Sequence, residues 1–292
     1  MEKRQSNKGA MALLKAAVTL AALAYVITKL DFNEVKEILL RADLFWLFAA
    51  LLAFNASKML SSVRLNRYFG AIGLKLNEGY NLMLYYIGMF YNLFLPGGIG
   101  GDGYKVYLLH KHHRTGVKAL LQAVVLDRIS GLAALLFLAG LLFIFSGFMA
   151  MMAYLLPLAI AGMIAVFPAT YLVTRFMFHR FLDVFAVTTL LGIAVQLLQL
   201  LCALFIVYAI NAQAMSVDYL TLFLVSSVVA VLPISIGGVG VRELTFLYGF
   251  GLLGSDANSG ILFSFLFFLI TALSSLAGTL FLHKTEVKSV HH

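Results

Sequence analysis

The chain has 292 residues, of which 62% are hydrophobic and 12% charged, with a formal net charge of +8. A soluble domain carries roughly 25% charged residues, and a mean hydropathy of +0.96 exceeds what one core under a polar shell accommodates. An ordinary soluble domain is therefore excluded, Cys202 alone supports neither a disulfide framework nor a thiolate metal site, and the basic balance fits loops facing an anionic leaflet rather than nucleic acid.

The basic start Met1-Glu2-Lys3-Arg4 leads into an apolar run from Met11 to Leu30. Its length and the lack of a convincing cleavage site read as a first membrane helix and not as a signal peptide. Residues 29–43 mix Lys29, Lys36 and Arg41 with Asp31, Glu34, Glu37 and Asp43, which predicts a short amphipathic helix on the outer surface. A second span is predicted over 44–63. Lys58 and Arg64, near its end, are expected to snorkel to the headgroups; the alternative is headgroup binding in a groove leading in from the membrane. An apolar run over 80–95 then ends at Pro96 and a glycine cluster, and a short run over 104–115 follows. Further spans are predicted over 119–145, 149–173 and 185–210. The run 217–232 ends at Pro233 and glycines, 241–252 follows it, and the last predicted span covers 260–282. The final His291-His292 receives no function.

Basic residues orient these elements. Lys3, Arg4, Lys8 and Lys15 precede or open the first span. Arg64, Arg67 and Lys75 follow the second, Lys105, Lys111, Arg114 and Lys118 follow the first break, and Arg175 and Arg180 follow the fourth span. Lys284 and Lys288 close the chain, whereas residues 211–218 and 253–259 contain no Lys or Arg. With every basic stretch on the cytoplasmic side, the first broken segment enters from the cytoplasm and returns there, and the second enters and returns outside. The predicted fold is an all-α polytopic membrane protein of six transmembrane helices and two opposed re-entrant helical hairpins in an inverted repeat. It forms one membrane domain over 1–292, with halves of about 1–147 and 148–292 and both termini cytoplasmic.

The breaks align residue by residue. Pro96-Gly97-Gly98-Ile99-Gly100-Gly101-Asp102-Gly103-Tyr104-Lys105 matches Pro233-Ile234-Ser235-Ile236-Gly237-Gly238-Val239-Gly240-Val241-Arg242 as P-x-x-I-G-G-x-G-x-(K or R). Paired interrupted helices in inverted repeats point to a transporter's midplane site. Irregular backbone at membrane depth is tolerated only in protein or beside a wet cavity. A returning half-helix aims free N–H groups at that depth, suiting a phosphate or carboxylate. The candidate binding residues are therefore Gly100, Gly101, Gly237 and Gly238, with Asn92 on the first hairpin and Asp102 at the place of an N-cap. Asp127, Arg128, Arg242 and Glu243 add intramembrane charges, which face cavities or each other. Asp127 and Arg128 are helix neighbours and cannot point the same way, so cross-helix pairs are expected, with Asp102 or Glu243 accepting from Arg128 or Arg242. Tyr85, Tyr86 and Tyr91 could line the cavity or pack, and Gln196 and Gln199 read as interhelical hydrogen-bonding residues. His110, His112 and His113 lie in a basic stretch and read as solvated and lipid-facing, not as metal ligands. No P-loop, dinucleotide fingerprint, H-E-x-x-H or G-x-S-x-G is present, and neither a cofactor nor a metal is expected.

Asn92-Leu93-Phe94-Leu95-Pro96-Gly97-Gly98-Ile99-Gly100-Gly101-Asp102, followed by Asp127-Arg128 and by Pro233 to Gly240 with Glu243, resembles the lysylphosphatidylglycerol synthase transmembrane (flippase-like) family. The resemblance covers about residues 10–282. It implies a bacterial or archaeal cytoplasmic membrane and movement of a lipid or lipid-linked headgroup between leaflets, and it carries over Asp102, Asp127, Arg128 and Glu243. The synthases' soluble aminoacyl-transferase domain is not expected here, so neither synthase activity nor a lysyl headgroup is carried over. The second break departs from the pattern with Ile234 after Pro233.

The leading expectation is a flippase-like transporter of a phospholipid or isoprenoid phosphate. One alternative is an intramembrane enzyme acting on lipid phosphates, with Asp127 or Asp102 as base and His110 nearby. Another is a non-transporting partner of a membrane glycosyltransferase. A membrane lipid is the expected partner, nucleic acid is not, and a homo-oligomer is compatible with the sequence.

Overall fold

The computed structural model describes residues 28, 32–94, 100–231 and 240–282. The predicted first span (apart from Thr28), the expected hairpin tips at 96–99 and 233–239 with Gly237 and Gly238, and the C-terminal tail lie outside them.

The described residues form helices and turns, without a strand among them. They comprise α1 (Phe32–Leu40), α2 (Leu44–Ala71), α3 (Glu78–Phe94), α4 (Gly100–His113), α5 (Val117–Phe145), α6 (Gly147–Met151), α7 (Leu156–Met177), α8 (Phe185–Ala209), α9 (Ser216–Val231), α10 (Val241–Leu252) and α11 (Ala257–Leu276), with short 3-10 turns between several of them. Polar residues start two of the long helices, α2 and α11, by satisfying the first free N–H groups. Asp43 Oδ1 accepts from Phe45 N at 2.8 Å, and Asp256 accepts from Asn258 N and Ser259 N. A short helix, as expected within 29–43, is present as α1, and its Val35 and Ile38 pack on the core.

Six helices among the described residues are long and apolar enough to cross a membrane: Leu44–Ala71, Val117–Phe145, Ala153–Met177, His179–Ala209, Gln213–Val231 and Ala257–Phe281. Five contain or overlap spans predicted from the sequence. The sixth, Gln213–Val231, is the first arm of the second break together with the turn before it. Around these helices, Phe45, Phe48, Leu136, Leu158, Ile164, Leu190, Leu273 and other large apolar side chains are exposed, an outer surface suited to hydrocarbon.

The most extensive pairing is between α2 and α8. They run antiparallel: Asp43 N donates to Ala209 O at one end, Trp46 stacks 4.9 Å from Tyr208, and Tyr68 meets Phe181 at the other end. Two further antiparallel pairs flank this axis. In the first, α3 lies along α4, with Tyr80 beside His113 at the open end and Tyr91 beside Tyr104 near the break. In the second, α9 lies along α10, with Tyr219 beside Phe250 at the open end and Ser227 beside Arg242 near the break. The chain enters α3 from the far end of α2, but enters α9 from the end marked by Asp43 and Ala209. The two pairs therefore open toward opposite ends of the molecule. Helix α3 packs on α11, and α9 packs on α5.

Candidate functional site: a charged cavity between two helix pairs

The first pair closes tightly because two glycines face each other. A Cβ on Gly101 would fall on the carbonyl of Gly88, so only hydrogen permits this approach. Asn92 Oδ1 accepts from Gly101 N at 2.9 Å and ties the arms together beside the break. Gly100 opens α4. Asp102, in the first turn, is 7% exposed and accepts cations on both oxygens. Lys105 Nζ lies 2.7 Å from Oδ1, and Arg128 Nε and Nη2 each lie 2.6 Å from Oδ2. The expected pair of Asp102 with Arg128 is thus present, with Lys105 as a second cation.

Asp127, one residue before Arg128, turns the opposite way on α5, as adjacent helical positions must. Its Oδ1 accepts from Arg64 Nε at 2.8 Å, with both residues buried. Arg64 does not snorkel. The helix that the sequence reading ended at residue 63 continues to Ala71, so Arg64 lies inside the bundle. Gly131 and Gly192 make room for its guanidinium, since a Cβ on either would stand 3.3 Å from Arg64 Nη1.

The second pair is built differently. Gly240 precedes α10 with φ of +82°, a left-handed conformation that favours glycine. Glu243 does not pair with Arg242 or Arg128. Its Oε2 accepts from Gly240 N at 2.7 Å and its Oε1 from Ser264 Oγ at 2.9 Å, so it caps its own helix and ties it to α11. Arg242 points the other way. Its Nη1 donates to Ser227 Oγ at 3.3 Å, and its guanidinium lies 4.9 Å from the Phe267 ring centre.

Between the two pairs lies a cavity of about 360 Å³. Charged groups on its wall are Lys58 from α2, Arg128 from α5, and Arg242 and Glu243 from α10. Asn92, Gln196, Gln199 and Ser227 add neutral polar groups, and Phe54, Met89, Leu135 and Phe267 add apolar ones. Of the candidate residues, Asn92, Arg128, Arg242 and Glu243 thus meet at one cavity. Asp102 stands behind Arg128, and Asp127 faces away toward Arg64. Gln196 also donates to Gly131 O at 3.3 Å, an interhelical bond of the expected kind. Tyr86 donates to Asn55 Oδ1 at 2.7 Å, and Asn55 donates to Ser274 Oγ, linking α3, α2 and α11.

Lys58, expected to snorkel, lines the cavity instead, because the helix that carries it runs on to Ala71 and its cation sits mid-helix in an apolar segment. The His110–His113 stretch lies at the open end of the first pair, where His110 Nδ1 is 2.9 Å from Thr115 O.

The family described as the lysylphosphatidylglycerol synthase TM region matches residues 12–278. The chain belongs to this family. No curated protein matches it. Membership supports a multi-pass membrane protein of lipid metabolism or transport. In this family member, the four positions singled out by the motif divide between the cavity wall (Arg128 and Glu243), the support behind it (Asp102) and a separate buried ion pair (Asp127).

Proposed function

We propose that this chain is a flippase-like transporter. The headgroup of a phospholipid or lipid-linked isoprenoid phosphate passes between leaflets through the cavity, while its chains stay in lipid. One observation carries the reading: side chains from beside both chain breaks, Asn92 and Arg242, line the same charged cavity within an apolar helix bundle. Charge at membrane depth marks substrate pathways.

The same reading takes the two antiparallel pairs as re-entrant hairpins entering from opposite faces, each an element of one half of an inverted repeat. The packing partners support it. Exchange of the halves converts the α3–α11 contact into α9–α5, and α2 and α8 are each other's counterparts. Lys75, Lys111, Arg114, Lys118, Arg175 and Arg180 belong to turns and helix ends at the open side of the α3–α4 pair. That side is the cytoplasmic one in this reading, and both termini face it.

Transport is favoured over lipid-phosphate chemistry because neither carboxylate that such chemistry would use as base lines the cavity. Asp102 stands behind Arg128 and also pairs with Lys105, and Asp127 faces Arg64. A general base must lie within reach of the substrate proton.

The test is reconstitution of the purified chain in liposomes carrying headgroup-labelled lipids, followed by dithionite quenching. Faster loss of the protected inner-leaflet signal than in protein-free liposomes is expected. Protein-free rates for every phospholipid and isoprenoid-phosphate probe would rule transport out.

A further inference from the structure

The two halves of the aligned motif differ in one charge. Lys105 of the first copy corresponds to Arg242 of the second, and Asp102 corresponds to Val239. In the first copy, the carboxylate three residues upstream neutralises its cation at 2.7 Å. In the second copy that carboxylate is absent from the sequence. Among the described residues Arg242 forms no ion pair. Its guanidinium rests instead on Ser227 and on the rings of Phe267 and Phe223, while Glu243 beside it turns to Gly240 and Ser264.

Lys58 repeats this situation on another wall of the cavity. Its Nζ sits 4.5 Å from the Phe54 ring centre, and it too has no ion pair among the described residues. Arg128, the third cation, shares Asp102 with Lys105. Three cations therefore line the cavity against the single carboxylate of Glu243.

Unbalanced charge at this depth is unfavourable unless a ligand supplies the counter-charge. A phosphate diester headgroup such as phosphatidylglycerol brings one negative charge, and a zwitterionic headgroup brings no net charge. A phosphate monoester brings about 1.5 to 2 negative charges near neutral pH and three acceptor oxygens, which matches the excess. Arg presents paired donors to such a group, and Lys a point charge. The apolar wall of Phe54, Met89, Leu135 and Phe267 suits the start of a lipid chain and not a free ion.

We propose that the cavity selects a lipid ending in a phosphate monoester, with Arg242 and Lys58 as its primary ligands and Arg128 turning to it from Asp102. The proposal rests on the transport reading only in taking the ligand to be a lipid.

The full-length protein in phosphatidylcholine nanodiscs is titrated with phosphatidic acid, phosphatidylglycerol or inorganic phosphate, and bound lipid is read by native mass spectrometry. Phosphatidic acid is expected to bind at least about tenfold more tightly than phosphatidylglycerol. Arg242→Gln and Lys58→Gln should each weaken it by about tenfold, the scale of one charge-assisted hydrogen bond, whereas Arg242→Lys should retain the preference. Lipid-free Arg242→Gln should melt at or above the wild-type temperature, because an unneutralised charge has been removed. A lower melting point would make Arg242 a structural group and overturn the proposal. Equal binding of the two lipids, or displacement of phosphatidic acid by an equal concentration of inorganic phosphate, would also overturn it. Selective binding without translocation would remove the transport reading and leave this one standing. Translocation without monoester selectivity would do the reverse.

Discussion

Arg64 Nε donates to Asp127 Oδ1 at 2.8 Å across 63 residues of chain, with both side chains buried. The pair joins α2 to α5 beside the α2–α8 axis, and Gly131 and Gly192 flank the guanidinium. Arg64 Nη1 has no hydrogen-bond partner, so Asp127 carries most of the compensation for this buried charge.

Removing one partner is therefore expected to be far worse than removing both. Asp127→Leu leaves the guanidinium unneutralised and should destabilise the protein by about 3–5 kcal/mol. Arg64→Met combined with Asp127→Leu should recover most of that loss. Thermal melting of the single and double variants in detergent checks this; equal melting points for the two would refute the assignment.

Glycines in one helix should respond oppositely. Gly101→Ala drives a Cβ into the Gly88 carbonyl, and backbone cannot give way as a side chain tip can. A loss of at least about 3 kcal/mol is expected. Gly103, two residues on, has nothing within 4 Å of the added methyl. Gly103→Ala should be neutral or gain up to about 1 kcal/mol from helix propensity. Comparing the two variants' melting midpoints separates close approach from a general intolerance of substitution.

Asp102→Asn removes the counter-charge from both Lys105 and Arg128. Lipid translocation should fall at least about tenfold, since losing a single charge-assisted bond already has that scale, and the melting temperature should also fall. Asp102→Glu keeps the charge and should retain more activity than Asp102→Asn in the same liposome assay.

The turn into α10 depends on backbone geometry and on Glu243. Gly240→Ala forces a Cβ into a left-handed residue and should cost about 1–2 kcal/mol. Glu243→Gln preserves acceptor and cap and should cost less than Glu243→Ala, which strands Ser264 and loses the cap, a loss of about 1–2 kcal/mol. Chemical denaturation of the three variants orders these effects.

Much of the fold was legible in composition. Long apolar runs gave five spans that coincide with described helices, and Pro96 and Pro233 with their glycines placed the breaks between helix arms. Gln213–Val231 shows the limit. Its length suffices to span, yet the proline and glycines after it and the lack of Lys and Arg over 211–218 and 253–259 argue for a returning arm. Length measures what a helix can reach, not which way it leaves.

The sequence by itself determined that this is an apolar helical bundle of the family it resembled, with charges placed where only protein or a polar cavity could receive them. That follows from hydrophobicity and charge, which act residue by residue. The tertiary structure alone decided the partners: Asp127 with Arg64 and not with an arginine near the breaks, Glu243 with Gly240 and Ser264, and Lys58 and Arg242 on different walls of one cavity, neither in an ion pair among the described residues. Pairing depends on the rotation of each helix about its axis, and packing over the whole bundle sets that rotation.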